Sequence, residues 1–105
     1  MTYIKTISIM AVLLLSLQGQ VVQAGDAAAG QAKAAVCGGC HGATGISVAP
    51  NNPNLAGQHE QYLIKAINDY KSGKRDDAAM KAMVGTLSDD DVKNVAAYYA
   101  AQKCQ

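Results

Sequence analysis

The hydrophobic pattern divides the chain into a short apolar leader and a longer amphipathic part. Residues 7–17 form a nearly continuous apolar run behind Lys5, the only charged residue among the first 25, and small residues follow as far as Ala24. A basic start, a short apolar core and a small-residue exit are typical of a signal peptide. The run is too short to span a bilayer, which takes about 20 residues. We therefore predict that residues 1–24 are a cleaved signal peptide and that residues 25–105 form a single domain.

Beyond the leader, apolar positions recur with helical spacing and no segment alternates as a strand does, which predicts an all-α fold. The alanine-rich residues 26–36 predict a first helix with Asp26 as its N-cap. Gly30 interrupts this helix at a cost of about 1 kcal/mol, which is either a tolerated flaw or the sign of a close contact with another helix. Residues 58–71 predict a second helix, ended by Gly73.

The last helix is expected to begin at Ser88 and to fade near residue 102. Ser88 is its predicted N-cap, and Asp91 occupies the partner position of a capping box. The apolar stripe that predicts its buried face consists of Val92, Val95, Ala96 and Tyr99. Before this helix, the polar residues 74–85 carry Met80 and Met83 and leave room for a short additional helix.

Residues 38–57 predict a long loop, because they are rich in glycine and contain both prolines of the chain. So long a loop in a small domain normally wraps a ligand or serves a function. The chain also has no Trp and no Phe, and a domain of this size buries little surface without a disulfide or a bound group. A large apolar cofactor would complete such a core.

The charge of this chain excludes few classes of function. Acidic and basic residues nearly balance, with a formal net charge of +1, and no basic stripe is present. This balance argues against nucleic-acid binding.

The stretch VCGGCHG at residues 36–42 carries the candidate chemistry. Cys37, Cys40 and His41 in this spacing could hold zinc, form a redox disulfide or attach a haem. Zinc needs about four ligands and no second cysteine pair is present, while a thioredoxin-like pair needs neighbouring strands. The haem hypothesis gives each residue a role, since both thiols form thioethers with the porphyrin vinyl groups and His41 becomes the proximal iron ligand. We therefore favour one covalently bound haem c.

The remaining cysteine lies outside this motif. The chain has three cysteines, and Cys104 is one residue from its C-terminal end. It is expected to be either a free thiol or the link of a disulfide homodimer.

The second axial ligand of the iron decides the chemistry. A methionine would raise the reduction potential and favour electron transfer, whereas an open position would favour ligand binding or catalysis. Met80 and Met83 are the only methionines after the leader, and we expect one to bind the iron and the other to pack. His59, at the start of the second helix, is the alternative ligand.

Several motifs occur in the order typical of class I c-type cytochromes. They are VCGGCHG, APNNPNLAGQ at 49–58, YLIKAINDYKSGKR at 62–75, and MKAMVGTLSDDD at 80–91 followed by AAYYAAQ. With them the chain resembles the small bacterial monohaem type, and also one domain of the periplasmic dihaem cytochromes, over essentially all of residues 25–105. The resemblance implies a cytochrome c fold, with three to four helices wrapped around one covalently attached haem. It also implies that the first and last helices cross where Gly30 meets Tyr98 or Tyr99.

The resemblance further implies two residue roles. In this family the ligand methionine lies seven residues before the leucine of an LSD turn; Leu87 is that leucine here, so Met80 rather than Met83 is the expected distal iron ligand. The Pro53 carbonyl is expected to accept the ring proton of His41, which would fix the ring and tune the iron.

We predict that the protein is a periplasmic monohaem electron carrier and not an enzyme. Single electrons would pass between other redox proteins during brief docking, with no nucleic acid and no stable membrane insertion after signal cleavage. Two alternatives stay open: a haem-based sensor or binder of small ligands, and a haem subunit of a larger redox enzyme.

Overall fold

The computed structural model describes residues 24–105, and every regular element in this range is an α-helix. In chain order the helices are α1 (Ala27–Lys33), α2 (Ala35–His41), α3 (Glu60–Ser72), α4 (Ala78–Val84) and α5 (Asp89–Ala100). The all-α prediction is therefore confirmed. The predicted signal peptide lies outside the described residues, except for Ala24.

The five helices exceed the expected three to four because the first predicted helix is in fact two. Ala34 separates them, and its carbonyl accepts the N–H groups of both Cys37 and Gly38, at 2.9 and 3.1 Å. These bonds start α2, which continues through Gly38, so the prediction of a loop from that residue was wrong. Glycine weakens a helix without forbidding it. The loop begins only at Gly42, whose φ of +82° favours glycine.

α1 and α5 cross in direct contact at Gly30. A Cβ on the buried Gly30 would lie 1.8 Å from the carbonyl oxygen of Asn94, so this approach requires a glycine. Asp26 caps α1 as predicted, and its own N–H donates to the Asn94 side chain at 2.8 Å. The close-contact interpretation of Gly30 is confirmed, although the nearest atoms belong to Asn94 and not to Tyr98 or Tyr99.

The ends of α3 and α5 follow their cap signals. Gly73 ends α3 with a φ of +82°. At the start of α5, Ser88 Oγ accepts the Asp91 N–H at 3.0 Å and Asp91 Oδ2 accepts the Ser88 N–H at 3.1 Å, which is the predicted capping box. α3 begins at Glu60, two residues after its predicted start.

Small residues and tyrosines form most of the core. α5 supplies six buried residues: Val92, Val95, Ala96, Ala97, Tyr98 and Tyr99. Ala34 and Leu63 join this cluster from α1–α2 and α3. Several apolar side chains beside it are only partly buried, namely Cys37, Leu55, Ile64 and Ile67. Within residues 24–105, none of the helices has the length and apolar character needed to cross a membrane.

Candidate functional site

α2 places the three residues of the motif on one short helix. Cys37 and Cys40 are three positions apart, a spacing that puts both side chains on the same side of a helix. Cys37 is half-buried and Cys40 is exposed, and both thiols are free. His41 is the last residue of α2 and is buried, with 8% of its surface exposed.

The ring of His41 is oriented by the predicted partner. Its Nδ1 lies 2.8 Å from the carbonyl oxygen of Pro53. Because a carbonyl can only accept, Nδ1 carries the proton and donates it. In the neutral ring Nε2 then keeps its lone pair, so this nitrogen is available to a metal.

The loop after α2 is tied back to the motif by side chains that sequence analysis did not single out. The carbonyl of Cys40 accepts from Ser47 Oγ and from Asn52 Nδ2, each at 3.2 Å. Asn54 Oδ1 accepts the N–H of Ser47 at 2.7 Å. The two asparagines flank Pro53, so these bonds hold its carbonyl towards His41. The clustering of asparagines in this loop was the available signal, since asparagine side chains commonly bond to nearby backbone.

A glycine with positive φ closes the same loop. Gly45 has a φ of +86°, and its carbonyl accepts the N–H groups of Leu55 and Ala56 at 2.7 and 3.1 Å. A Cβ at this position would lie 2.6 Å from the Ala56 nitrogen. The loop therefore folds back on itself, and α5 holds it from the other side, where the Tyr98 hydroxyl donates to the Ala43 carbonyl at 2.8 Å.

Tyr99 lies under the first cysteine. Its hydroxyl is 3.4 Å from the carbonyl oxygen of Ala34 and also faces the Cys37 thiol. Burial raises the pKa of the Cys37 thiol, against a smaller opposing effect of the Tyr99 hydroxyl. Burial also raises the pKa of Tyr99 well above its ordinary value. Both groups are consequently neutral at neutral pH.

The two methionines lie on a separate helix. α4 carries Met80 and Met83 and packs against α3. Asp77 caps α4 by accepting the Met80 N–H at 2.9 Å. Met80 is partly buried, whereas 49% of the Met83 surface is exposed. His59, the alternative ligand, is exposed at the N-cap of α3.

Comparison with known proteins decides between the hypotheses for the motif. Residues 27–102 match the family model described as cytochrome c. The chain belongs to the cytochrome c family. The match includes VCGGCHG and all five helices, so the haem hypothesis is confirmed over the zinc and redox-disulfide hypotheses. This cytochrome carries covalently bound haem c, and Cys37, Cys40 and His41 stand at the positions of the attachment motif.

Similar proteins agree with this assignment. Cytochrome c4 of Pseudomonas aeruginosa is 58% identical over 91 residues, which is 87% of this chain and 45% of that protein. Cytochrome c-554(548) of Halomonas halodenitrificans is 46% identical over 83 residues, covering 76% of this chain and 100% of that protein. A thiosulfate dehydrogenase electron acceptor of Thiomonas intermedia is 40% identical over 77 residues, 72% of this chain and 36% of that protein.

A solved structure has the same fold. Reduced recombinant cytochrome c4 from Pseudomonas stutzeri superposes with a TM-score of 0.73 at 49% identity, covering 76% of this chain and 47% of that chain. The cytochrome thus spans about half the length of the cytochromes c4 that it matches, as the resemblance to one domain of a dihaem protein implied.

The residues present fit a haem. The donor set contains two unpaired thiols on one side of α2 and a histidine whose Nε2 is available. The apolar side chains that pack beside the buried cluster, Cys37 and Leu55 among them, are only partly covered, as expected where a porphyrin completes the core. Within residues 24–105, no three His, Cys, Asp or Glu side chains are grouped to hold a bare metal ion.

Cys104 stands apart from these residues. It is exposed and lies beyond α5, with its sulfur close to the backbone of Gly57. No observation joins Cys104 to a second chain, so the disulfide homodimer stays a prediction.

Proposed function

We propose that this cytochrome is a periplasmic electron carrier whose single haem iron is bound by His41 and Met80. The observation that carries the proposal is the His41–Pro53 hydrogen bond, which fixes the ring of a buried histidine beside both motif cysteines. A haem iron between histidine and methionine supplies reversible one-electron oxidation and reduction.

On the proximal side, the chain fixes the ring proton of His41 on Nδ1 and the orientation of its ring. The Pro53 carbonyl keeps the ring proton on Nδ1, so Nε2 stays directed away from Pro53 as a ligand. His41 as a whole is buried, which limits the freedom of its ring to turn. Hydrogen bonds from Ser47 and Asn52 to the Cys40 carbonyl stiffen the adjoining turn. A rigid ligand suits electron transfer, since little rearrangement then accompanies the change of charge.

On the distal side, the sequence register supports Met80. Met80 is partly buried, whereas Met83 is half exposed one turn later on α4. Asp77 fixes the N-terminal turn of this helix at the Met80 N–H itself. The distance of seven residues to Leu87 agrees with the spacing in class I cytochromes.

The partners of an electron carrier are other redox proteins that dock briefly. The similarity to a thiosulfate dehydrogenase electron acceptor supports this class of partner. The same similarity also favours a second candidate function, in which the cytochrome is the haem subunit of a larger redox enzyme. Purification at native level separates the two, because a carrier elutes alone and a subunit elutes with a stoichiometric partner.

Export to the periplasm is supported by the sequence of the leader and by the place of Gly25. Cleavage after Ala24 would make Gly25 the first residue of the mature chain. Its nitrogen lies 3.0 Å from a carboxylate oxygen of Glu60. A free α-amino group at this position would therefore find a negative partner on α3.

The axial ligands are tested by two matched variants. Met80→Ala and Met83→Ala remove a methionine from the same helix, one turn apart, and both proteins are made in a host with haem-attachment machinery. We expect Met80→Ala to lose the six-coordinate low-spin absorption spectrum and to bind carbon monoxide when reduced. Met83→Ala should keep the unmutated spectrum. Loss of the low-spin spectrum in Met83→Ala alone would make Met83 the ligand. A low-spin spectrum in both variants would contradict methionine ligation.

A further inference from the structure

The segment that carries Met80 is attached to the rest of the protein at few points. Most of its side chains between residues 76 and 87 are exposed. Val84 is the exception, with only 2% of its surface exposed, and Leu87 is partly buried. A segment that buries so little apolar surface against the rest of the chain is held by few protein contacts, and such segments open at a lower free-energy cost than the core does.

One lysine forms a hydrogen bond to the C-terminal end of this segment. Lys71 lies in the last turn of α3 and is partly buried, and its Nζ donates a short hydrogen bond of 2.5 Å to the Leu87 carbonyl. Leu87 in turn donates its N–H to the Val84 carbonyl at 3.1 Å, so the bond reaches the end of α4 directly. Among the hydrogen bonds of residues 24–105, it is the only one that joins residues 76–87 to the preceding part of the chain.

We propose that Lys71 is a positioning residue for the distal iron ligand, an inference that rests on the proposed ligation by Met80. Asp77 fixes the first turn of α4 from within the segment, and Lys71 fixes the turn after α4 from outside it. With both ends held, Met80 would be kept in position to bind the iron of the haem. A charged donor makes a stronger bond than a neutral one.

Loss of this bond favours the open form of the segment. An external ligand can bind the iron only when Met80 has left it, so its apparent affinity rises with the population of the open form. The net contribution of a hydrogen bond from a charged group corresponds to about a tenfold change in an equilibrium constant. We therefore expect weaker retention of Met80 without loss of the fold.

The test is binding of imidazole to the ferric haem protein, followed by absorption. The variant is Lys71→Met, which keeps the length of the side chain and removes the donor. The matched control is Lys65→Met on the same helix: Lys65 is exposed and pairs with Asp69, so this change removes the same charge without touching the segment. Lys71→Arg restores a charged donor at the same position.

We expect Lys71→Met to bind imidazole about tenfold more tightly than the unmutated protein, and Lys65→Met to stay within about twofold of it. Lys71→Arg should recover most of the difference. Backbone amides of α4 should exchange with solvent faster in Lys71→Met, while those of α5 keep their protection. Equal imidazole affinity in Lys71→Met and Lys65→Met would overturn the proposal.

Two further measurements keep the outcomes separate. Should Lys71→Met not accumulate as a haem protein, Lys71→Gln replaces it with the same expectation. The ferric spectrum of the unmutated protein tests ligation itself. A spectrum without a methionine ligand would refute the proposed function, whereas an intact spectrum with no effect at Lys71 would refute only its positioning role.

Discussion

At the scale of single residues, hydrogen bonds to backbone carbonyls decide where the reactive atoms lie. The Pro53 carbonyl selects the tautomer of His41, and the Cys40 carbonyl accepts hydrogen bonds from the side chains of Ser47 and Asn52. Each of these acceptors is a main-chain atom, which no side-chain substitution removes. The side chains that donate to them are therefore the points at which a mutation can loosen the site.

The side chain of Asp91 makes stability depend on pH. A hydrogen bond from the Ser88 N–H, together with the Ser88 hydroxyl and the Lys33 charge, holds the pKa of Asp91 below its usual range. A lowered folded-state pKa means that this contribution is present above the unfolded pKa, about 4, and is lost as the pH falls through the folded value. We expect Asp91→Asn to lower the melting temperature at pH 7 and to lower it less at pH 3. Asp90→Asn, on the same turn, is the control, and an unchanged difference across this pH range would contradict the prediction.

Sequence predicts some of these residues and misses others. Cys37, Cys40 and His41 follow from their spacing, and Pro53 follows from its place in a family motif. Ser47 and Asn52 do not, because their partner is the carbonyl of a residue 7 or 12 positions away, and that pairing exists only once the loop has closed.

At the scale of elements, the contact between α1 and α5 sets the frame on which the site is built. It holds α5 where Tyr98 and Tyr99 reach the loop and the Ala34 carbonyl beside the motif. Gly30 allows the backbones of α1 and α5 to approach. A glycine is needed there because of its contact with Asn94, and not because of its own backbone conformation.

Two glycines in helices should respond to alanine in opposite ways. Gly30→Ala would place a methyl group 1.8 Å from the Asn94 carbonyl oxygen, so we expect a loss of about 3 kcal/mol in the free energy of unfolding from overpacking. Gly39, in α2, has no atom within 4 Å of the position that an alanine Cβ would take, so Gly39→Ala should be neutral or stabilise by up to about 1 kcal/mol. Denaturant unfolding measures both. Equal effects would contradict the close approach.

Cap signals predicted the helix ends well, because a cap is a local interaction. Asp26, Gly73 and the Ser88–Asp91 box all occupy their expected positions. The break at Ala34 was not predictable, since alanine favours helix throughout residues 26–36. It arises where the chain turns from its contact with α5 towards the motif, a constraint imposed by the tertiary structure.

At the scale of the whole molecule, the core that the protein itself supplies contains few large side chains. Among residues 24–105, Tyr99 and Val92 are the largest fully buried side chains, and the sequence has neither Trp nor Phe. The absence of large core residues was evident in the sequence and correctly indicated a large cofactor. The positions of the half-exposed apolar side chains depend on how the helices pack against one another. The hydrophobic periodicity of a single helix does not predict that packing.

The start of the mature chain should add to overall stability. If processing leaves Gly25 as the first residue, its ammonium group pairs with Glu60, and we expect this pair to contribute roughly 1 kcal/mol. Recombinant protein beginning at Gly25 is compared with protein extended by residues 23–24, each with and without Glu60→Gln. The extension should lower stability only when Glu60 is present. An equal loss in both backgrounds would contradict the pairing, and mass spectrometry of periplasmic protein identifies the cleavage site independently.

The measurement that bears most directly on electron transfer is the absorption spectrum of the reduced, unmutated protein before and after addition of carbon monoxide. An iron closed by His41 and Met80 gives a six-coordinate low-spin spectrum that carbon monoxide leaves unchanged. A spectrum that shifts on addition of the gas would show an accessible iron. That result would contradict the electron carrier in favour of a sensor or binder of small ligands.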